Sequence, residues 1–246
     1  MIRKLGTPLL ILLLLVFSVL FYLIQNLLFH NPEESAFLFL QDLAFVPISV
    51  LLVTLGLNTV MVYRERQKML EKISIVINEF FAETGAELIH GLRNSLTDLE
   101  GIRKHLSPEA RWTDKDFQAA IAYIGSKEIQ IDINPGDLPA MHQMLVKIKD
   151  QILRLFENPN LMEHDRFTDM LWAVYHVYDE LRSRSSLENL PETDLRHLKG
   201  DLQRASRLLL VEWLDCMRSL RTHYPYLYSL AVRKNPFGES QVIIES

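Results

Sequence analysis

The sequence predicts an all-α protein in which an N-terminal transmembrane helical hairpin is followed by a cytoplasmic helical bundle. Charged residues are scarce in the first 63 positions, which hold two of the chain's 26 basic residues and three of its 31 acidic residues. The rest of the chain therefore holds 24 basic and 28 acidic residues and has a net charge of −4. In that part, apolar side chains recur at steps of three and four residues, which is the period of an amphipathic helix.

Two charge-free segments are long enough to cross a bilayer. The first covers residues 7–29, and these 23 residues extend about 34 Å as a helix, against a hydrocarbon core of roughly 30 Å. The second covers residues 43–63 and ends at Tyr63, an aromatic residue of the kind found at membrane interfaces. A cleaved signal peptide is the alternative for residues 1–29, but the apolar run is long for one and no small-residue cleavage site follows it.

The charges around this hairpin predict its orientation. The connection at 30–35 is acidic, whereas the other ends of both spans are basic. The basic residues are Arg3 and Lys4 before the first span, and Arg64, Arg66 and Lys68 after the second. Because cytoplasmic flanks are enriched in Lys and Arg, both termini are expected in the cytoplasm. Asp42 lies at the outer edge of the second span, where headgroups can solvate it, so it does not predict an ion path.

The remaining chain divides into three predicted segments. Residues 64–106 are expected to continue the second span as a juxtamembrane helix, whose heptad-like apolar residues at 69–80 suggest a short coiled coil and a homodimer. Residues 107–232 form the predicted helical domain, and 233–246 form a tail. Inside the domain, spacing and turn residues predict helices over about 113–125, 138–156, 164–182 and 193–223, with one short extended segment at 128–133.

Composition and motifs exclude several function classes. No basic excess and no nucleic-acid module is present, so a nucleic-acid partner is not expected. The sequence has no Walker loop, dinucleotide fingerprint or nucleophile elbow, and it therefore predicts no cofactor and gives no positive evidence for an enzyme. Its single cysteine, Cys216, has no intramolecular disulfide partner and is expected in the core.

His90 is the one candidate phospho-acceptor. The segment from His90 to Thr97 resembles the phosphorylated H-box of sensor histidine kinases, in which a His is followed by an acidic residue, Leu-Arg, a polar residue, Pro and Leu. Gly91 replaces the acidic residue and Ser95 replaces the Pro, and no ATP-binding domain follows. The resemblance keeps a phosphorelay sensor without its own kinase domain as an alternative function.

Several histidines stand near acidic residues at helical spacing. Glu87 precedes His90 by three residues, and Asp194 precedes His197 by three, which is a pairing that di-iron bundles use. His176 lies near Asp179 and Glu180 in the same way. Such pairs arise by chance in a chain this rich in acids, so no metal site is predicted, and a metal-dependent enzyme is a second alternative.

An aromatic and basic segment near the C-terminus suits either a docking segment or a strap over the end of the bundle. The strap is the favoured interpretation, because a helix-ending aromatic segment covers an open core end. The candidate docking residues are Tyr224, Tyr226, Tyr228, Arg233 and Phe237.

Three features of the sequence carry a family resemblance: the hairpin, the run Asn-Glu-Phe-Phe-Ala-Glu-Thr-Gly at 78–85 and the segment 224–237. In these features the chain resembles a family of uncharacterised bacterial two-span inner-membrane proteins. The resemblance implies the architecture and a bacterial inner membrane, and it implies no activity or ligand. The expected function is that of a binding, scaffolding or signalling adaptor. Its expected partners are the lipid bilayer and a cytoplasmic or membrane protein.

Overall fold

A computed structural model describes residues 3–29 and 32–238 of the chain. Over these residues it is built of helices and turns and contains no β-strand, which confirms the all-α class. Two compact units make up the chain, Met1–Gln67 and Lys68–Ser246, and the division falls inside the second helix.

The first unit holds two apolar helices, α1 (Arg3–Phe29) and the first part of α2 (Pro32–Phe80). Tyr22 on α1 donates a hydrogen bond to Asp42 on α2 at 3.2 Å, and its ring packs edge-on against Phe39. One helical stretch of the described residues, Glu33–Arg93, is long and apolar enough to cross a membrane, and Leu12–Leu28 is a shorter apolar helix. These are properties of length and composition alone.

Over its described residues, the second unit continues α2 and adds eight further helices, one π-helical turn and one 3₁₀ turn. After α2 come a π-helical turn (Phe81–Gly85), α3 (Ala86–Arg93), α4 (Leu99–Arg103), α5 (Asp114–Ser126), a 3₁₀ turn (Pro135–Asp137), α6 (Leu138–Phe156), α7 (Pro159–Met162), α8 (Asp165–Ser183), α9 (Glu192–His223) and α10 (Pro225–Arg233).

Helix α9 is the centre of this unit. It packs against α3, α5, α8 and α10, and α6 covers the far side of α8. Three aromatic rings form an edge-to-face cluster where α2 meets α8. The ring centroid of Phe80 lies 5.1 Å from that of Phe81 and 5.4 Å from that of Phe167. All three rings are buried, and their edge-to-face contacts stabilise the fold beyond the gain from burying apolar area.

Helix boundaries follow the capping residues of the sequence. The backbone N–H of Thr113 donates to the Asp116 carboxylate at 2.6 Å, a contact of the capping box that these two residues form at the start of α5. Asn158 caps α7 before Pro159, and Pro225 ends α9 because it has no N–H to continue the hydrogen-bond ladder. The chain then resumes as α10, so part of the segment interpreted as a strap is itself helical.

The segment 64–106 differs from the single helix expected there. Regular α-helix ends at Phe80, a π-helical turn follows, and α3 ends at Arg93. The Phe81 ring lies directly beside the Cα of Gly85, and a side chain at 85 would collide with it. The residues from Lys68 onward belong to one compact unit, because they share a core with α8 and α9. The chain does not divide near the predicted boundary at residue 106.

The face proposed for a coiled coil is occupied within the chain. Ile73 and Phe80 are buried in the domain's own core, and Met69 and Val76 pack against it. A helix face that is already buried cannot also pair with a second copy. The interpretation of residues 69–80 as a dimerising coiled coil therefore has no support in the structure.

The extended segment at 128–133 has a short partner. Ile131 forms an isolated antiparallel bridge with Leu96. The N–H of Thr97 donates to the carbonyl of Gln130 at 3.1 Å, and the N–H of Asp132 donates to the carbonyl of Ser95 at 2.8 Å. These bonds connect the loop after α3 to the loop after α5, and they give the alternating segment a pairing too short to count as a strand.

Candidate functional site

The second unit contains an open apolar cleft of about 650 Å³. Its walls come from the end of α2, the π-helical turn, the C-terminal half of α9 and α10. Apolar side chains line most of it, including Phe81, Trp213, Met217, Leu220 and Leu230. The volume lies within the range of clefts that hold small ligands or anchoring side chains.

Local chain geometry creates this cleft. The π-helical turn places Ala82 and Ala86 on the cleft wall, where their small side chains leave space. On the opposite wall, the break at Tyr224 and Pro225 ends α9 and lets α10 pack back on it. Both features are departures from regular helix, and residues at both of them line the cleft.

Few polar groups face the cleft. Asn78 on α2 accepts a hydrogen bond from the thiol of Cys216 on α9 at 3.1 Å. Burial raises the pKa of Cys216 well above its usual range, with Asp215 and Glu212 adding to the effect. The thiol is therefore protonated at neutral pH and is no nucleophile. Glu79 and Lys234 complete the polar lining.

The predicted docking residues separate into two groups. Tyr228 and Phe237 are buried, and Phe237 packs against Trp213 with ring centroids 6.0 Å apart. Because both side chains are buried, they do not form a docking surface. They hold residues 224–238, which we call the C-terminal strap, against the domain. Tyr226 is 71% exposed, and it lines the cleft together with the half-buried Tyr224.

Two further hydrogen bonds attach the C-terminal strap to the domain, and a third lies within the strap. Asn235 donates from its side-chain amide to the carbonyl of Leu106 at 3.0 Å and accepts from the N–H of Phe237 at 2.9 Å. Arg93 donates to the carbonyl of Pro236 at 3.0 Å. Among the described residues, Arg233 bonds Ser229 of its own helix, and this bond does not attach the strap to the domain.

His90 lies exposed on α3, apart from the cleft lining. Its neighbour Gly91 has a packing role, since a side chain there would collide with the sulfur of Met144 on α6. A side chain at position 91 would therefore require the Met144 side chain to move. Glu87, on the same helix, is also exposed.

A cluster of histidines and carboxylates lies where α8 faces α9. The Nε2 atom of His176 is 3.7 Å from a carboxylate oxygen of Glu180 and 3.4 Å from Oδ2 of Asp201. The Nε2 atom of His197 is 3.3 Å from the same oxygen of Asp201 and 3.6 Å from the second oxygen of Glu180. One ligand atom each from His176, Glu180 and Asp201 lies within 4.8 Å of the other two.

Two arginines hold the outer side of this cluster. Arg184 binds Asp194 through two hydrogen bonds of 2.8 and 2.6 Å and also binds Glu180 at 2.9 Å. The guanidinium lowers the pKa of both carboxyls. Arg204 binds the Oδ1 atom of Asp201 at 2.8 Å.

The pairs predicted from the sequence include His176 with Glu180 but not His197 with Asp201. His176 and Glu180 are four residues apart on α8, and His197 and Asp201 are four residues apart on α9. Residues at that spacing share a helix face. Asp194, the partner expected for His197, instead binds Arg184. Within 3–29 and 32–238, no second carboxylate pairs with Glu87 and His90.

The residues predicted to set topology are placed as follows. Arg64, Arg66 and Lys68 are exposed on α2. Arg3 and Lys4 begin α1, and their side chains lie outside the described part of the structure, as does the end of the predicted tail, 239–246.

Comparisons with known proteins identify relatives over nearly the whole chain. The family described as "Uncharacterized protein MJ1433, C-terminal helical domain" matches residues 69–233, and "MJ1433, N-terminal helical domain" matches residues 4–61. The uncharacterized protein MJ1433 of Methanocaldococcus jannaschii is 42% identical over 232 residues, which cover 94% of this chain and 93% of that protein. No solved structure matches the chain. That relative is archaeal, so it does not support the bacterial origin that the sequence resemblance implied.

Proposed function

The chain belongs to the MJ1433 family, in which an N-terminal and a C-terminal helical domain follow one another, and from this premise we propose that it is a membrane-anchored binding protein. Residues 7–29 and 43–63 form the anchor. The helical domain from Lys68 onward lies in the cytoplasm together with the N-terminus. Its cleft receives an apolar helix of a partner protein.

Exposed apolar side chains support the anchor. Nearly every large apolar residue from Leu12 to Leu28 and from Phe37 to Tyr63 is exposed, with Leu27 at 71% and Phe37 at 67%. Soluble proteins rarely leave contiguous apolar patches larger than a few hundred Å² in water. A bilayer removes this cost, and a helix satisfies its own backbone hydrogen bonds there.

The observation that carries the binding function is the apolar cleft together with its exposed apolar rim. Ile75, Tyr226 and Leu227 line the cleft and are 52%, 71% and 40% exposed. An apolar surface that continues beyond a cleft fits the apolar face of a helix, which anchors some side chains in the groove and lays others along its edge. A small enclosed ligand would leave that rim in water.

Site-specific photocrosslinking in the full-length membrane-embedded protein tests this function. A photoreactive phenylalanine analogue replaces Leu227 at the cleft, and a matched variant carries it at Glu188, in the loop before α9. We expect one protein adduct from position 227 and none from 188, with the linked residue on the apolar face of a partner helix. Ala82→Arg, which places a charge in the cleft at an exposed position, should abolish the adduct.

Other outcomes overturn the proposal. An adduct with lipid would assign the cleft to an acyl chain, and an adduct only with a second copy of this chain would assign it to self-association. An adduct that survives Ala82→Arg would place the contact outside the cleft.

A further inference from the structure

A second site lies at the other end of α9 from the cleft. Sixteen residues separate Asp201 from Met217, which is about 24 Å along a helix. The cluster of His176, Glu180, His197 and Asp201 is therefore independent of the cleft and of what it binds.

The unusual member of this cluster is Asp201. The residue is only 8% exposed, and its buried Oδ2 atom accepts no hydrogen bond from the described residues. A buried carboxylate oxygen that accepts no hydrogen bond loses its hydration, and the groups that face it must compensate for that loss. This oxygen is directed at the two imidazole nitrogens, which lie 3.4 and 3.3 Å away.

From this arrangement, we infer that His176, Glu180 and Asp201 bind a divalent transition-metal ion, with Zn²⁺ the best match and His197 as the fourth ligand. A tetrahedral Zn²⁺ with bonds of about 2.0–2.2 Å holds its ligand atoms about 3.3–3.6 Å apart. The Nε2 atom of His176 lies 3.7 Å from Oε1 of Glu180 and 3.4 Å from Oδ2 of Asp201, and the Nε2 atom of His197 lies 3.3 Å from that same Oδ2. These three separations are close to those around a tetrahedral ion. The 3.6 Å contact of His197 with Glu180 is to Oε2, the oxygen that Arg184 holds, so the fourth position requires a side-chain adjustment.

An arginine binds one oxygen of each carboxylate and leaves the other oxygen available to bind the metal. Arg204 holds Oδ1 of Asp201, which directs Oδ2 inward, and Arg184 holds Oε2 of Glu180, which directs Oε1 to His176. Partners of this kind orient metal ligands in known sites.

The donor set discriminates between metals. Two imidazoles with two carboxylates suit Zn²⁺, Fe²⁺, Co²⁺ and Mn²⁺, whereas Mg²⁺ and Ca²⁺ prefer oxygen ligands throughout. Both histidines are about half exposed, at 43% and 56% of their side chains, so the ion has a path from solvent. The competing explanation is a set of ion pairs between protonated histidines and the two carboxylates, which needs no metal.

Metal titration of the full-length protein in detergent separates these explanations. The protein is stripped with a chelator and titrated with Co²⁺, followed by displacement with Zn²⁺. We expect one Co²⁺ per chain with the intense visible bands of four-coordinate cobalt, full displacement by Zn²⁺, and a rise in Tm on binding.

Substitutions assign the ligands. Asp201→Asn, Glu180→Gln and His176→Gln should each weaken binding by more than about tenfold, since even outer partners of metal ligands contribute 10–100-fold. Asp179→Asn, beside Glu180 on the same helix but paired with Arg182, is the matched control and should bind as the wild type does. If Asp201→Asn does not fold, His176→Gln decides the result because that residue is partly exposed.

Binding well below one ion per chain, or equal binding by the wild type and the His176 and Glu180 variants, would overturn the site. Tight binding with the weak spectrum of six-coordinate cobalt would overturn the tetrahedral assignment. Unchanged affinity in His197→Gln would remove His197 from the ligand set.

Discussion

The hydroxyl group of Tyr228 donates a hydrogen bond of 2.7 Å to the backbone carbonyl of Glu109, 119 residues earlier in the chain. This bond attaches α10 to the segment before α5, and α10 forms one wall of the cleft. Burial raises the pKa of Tyr228 to about 12, so the phenol remains a donor at neutral pH. The cleft therefore depends on a long-range contact of the C-terminal strap.

Removing this hydroxyl tests the role of the C-terminal strap. Tyr228→Phe should lower the free energy of unfolding by about 1 kcal/mol, the net contribution of a typical hydrogen bond. Tyr226→Phe, in the same helix but 71% exposed, should leave stability unchanged. Denaturant unfolding of the full-length protein, followed by tryptophan fluorescence, measures both. Equal effects from the two variants would show that the bond adds nothing.

The π-helical turn requires a glycine at one end. In Gly85→Ala the new methyl group would collide with the buried Phe81 ring, and overpacking of this kind costs about 1–3 kcal/mol. Gly200→Ala is the control, because no atom lies within 4 Å of the added carbon in α9. That variant should gain up to about 1 kcal/mol from helix propensity. Thermal unfolding of both variants measures the difference, and a stabilising Gly85→Ala would contradict the packing described for this turn.

Buried Glu212 should make stability depend on pH. Burial raises its pKa from 4.5 to about 7, with Arg166 opposing and Asp215 reinforcing the change. Between these values the folded protein binds more protons than the unfolded chain, so this group's contribution falls as pH rises from about 4.5 through 7. The full loss is of the order of 3 kcal/mol.

Glu212→Gln should remove most of that dependence. Unfolding free energies at pH 5 and pH 8 should differ less in this variant than in the wild type, whereas exposed Asp169→Asn should keep the wild-type difference. An unchanged difference in Glu212→Gln would assign the pH dependence to other groups.

Arg184 clamps the loop between α8 and α9 by its two bonds to Asp194. Arg184→Lys keeps the charge but loses the planar pair of donors, and we expect a loss of about 1–2 kcal/mol. Arg196→Lys, whose bond to Glu192 is exposed to solvent, should change stability by less than about 0.5 kcal/mol. Comparable losses in both variants would contradict a special role for the Arg184 pair.

Local sequence signals account for most of the helices. The predicted helix at 138–156 coincides with α6, and those at 164–182 and 193–223 lie within one residue of α8 and α9 at each end. These helices are indicated by the period of the apolar residues, by the Asn-Pro and Tyr-Pro breaks and by the Thr113 capping box. Each of these signals lies within a few residues of the chain. Such signals need no knowledge of tertiary contacts.

Features that depend on long-range packing were not predictable in this way. The π-helical turn lies where Phe81 packs against Phe167 of α8, and the bridge from Ile131 to Leu96 joins two distant loops. The His176 and Asp201 pair forms only when α8 lies beside α9. The sequence places His176 four residues before Glu180 and His197 four residues before Asp201. It does not show that these two pairs lie next to each other in the folded domain.

Membrane anchoring with a cytoplasmic helical domain is tested most directly by labelling single cysteines in intact cells with a membrane-impermeant maleimide. Cys216→Ala provides the background, and new cysteines replace Ser35, between the two predicted spans, and Ser185, in the loop before α9. We predict that Ser35→Cys is labelled from outside while Ser185→Cys is labelled only after lysis. Labelling of Ser185→Cys in intact cells, or release of the protein from membranes by alkaline carbonate, would contradict the proposed anchor.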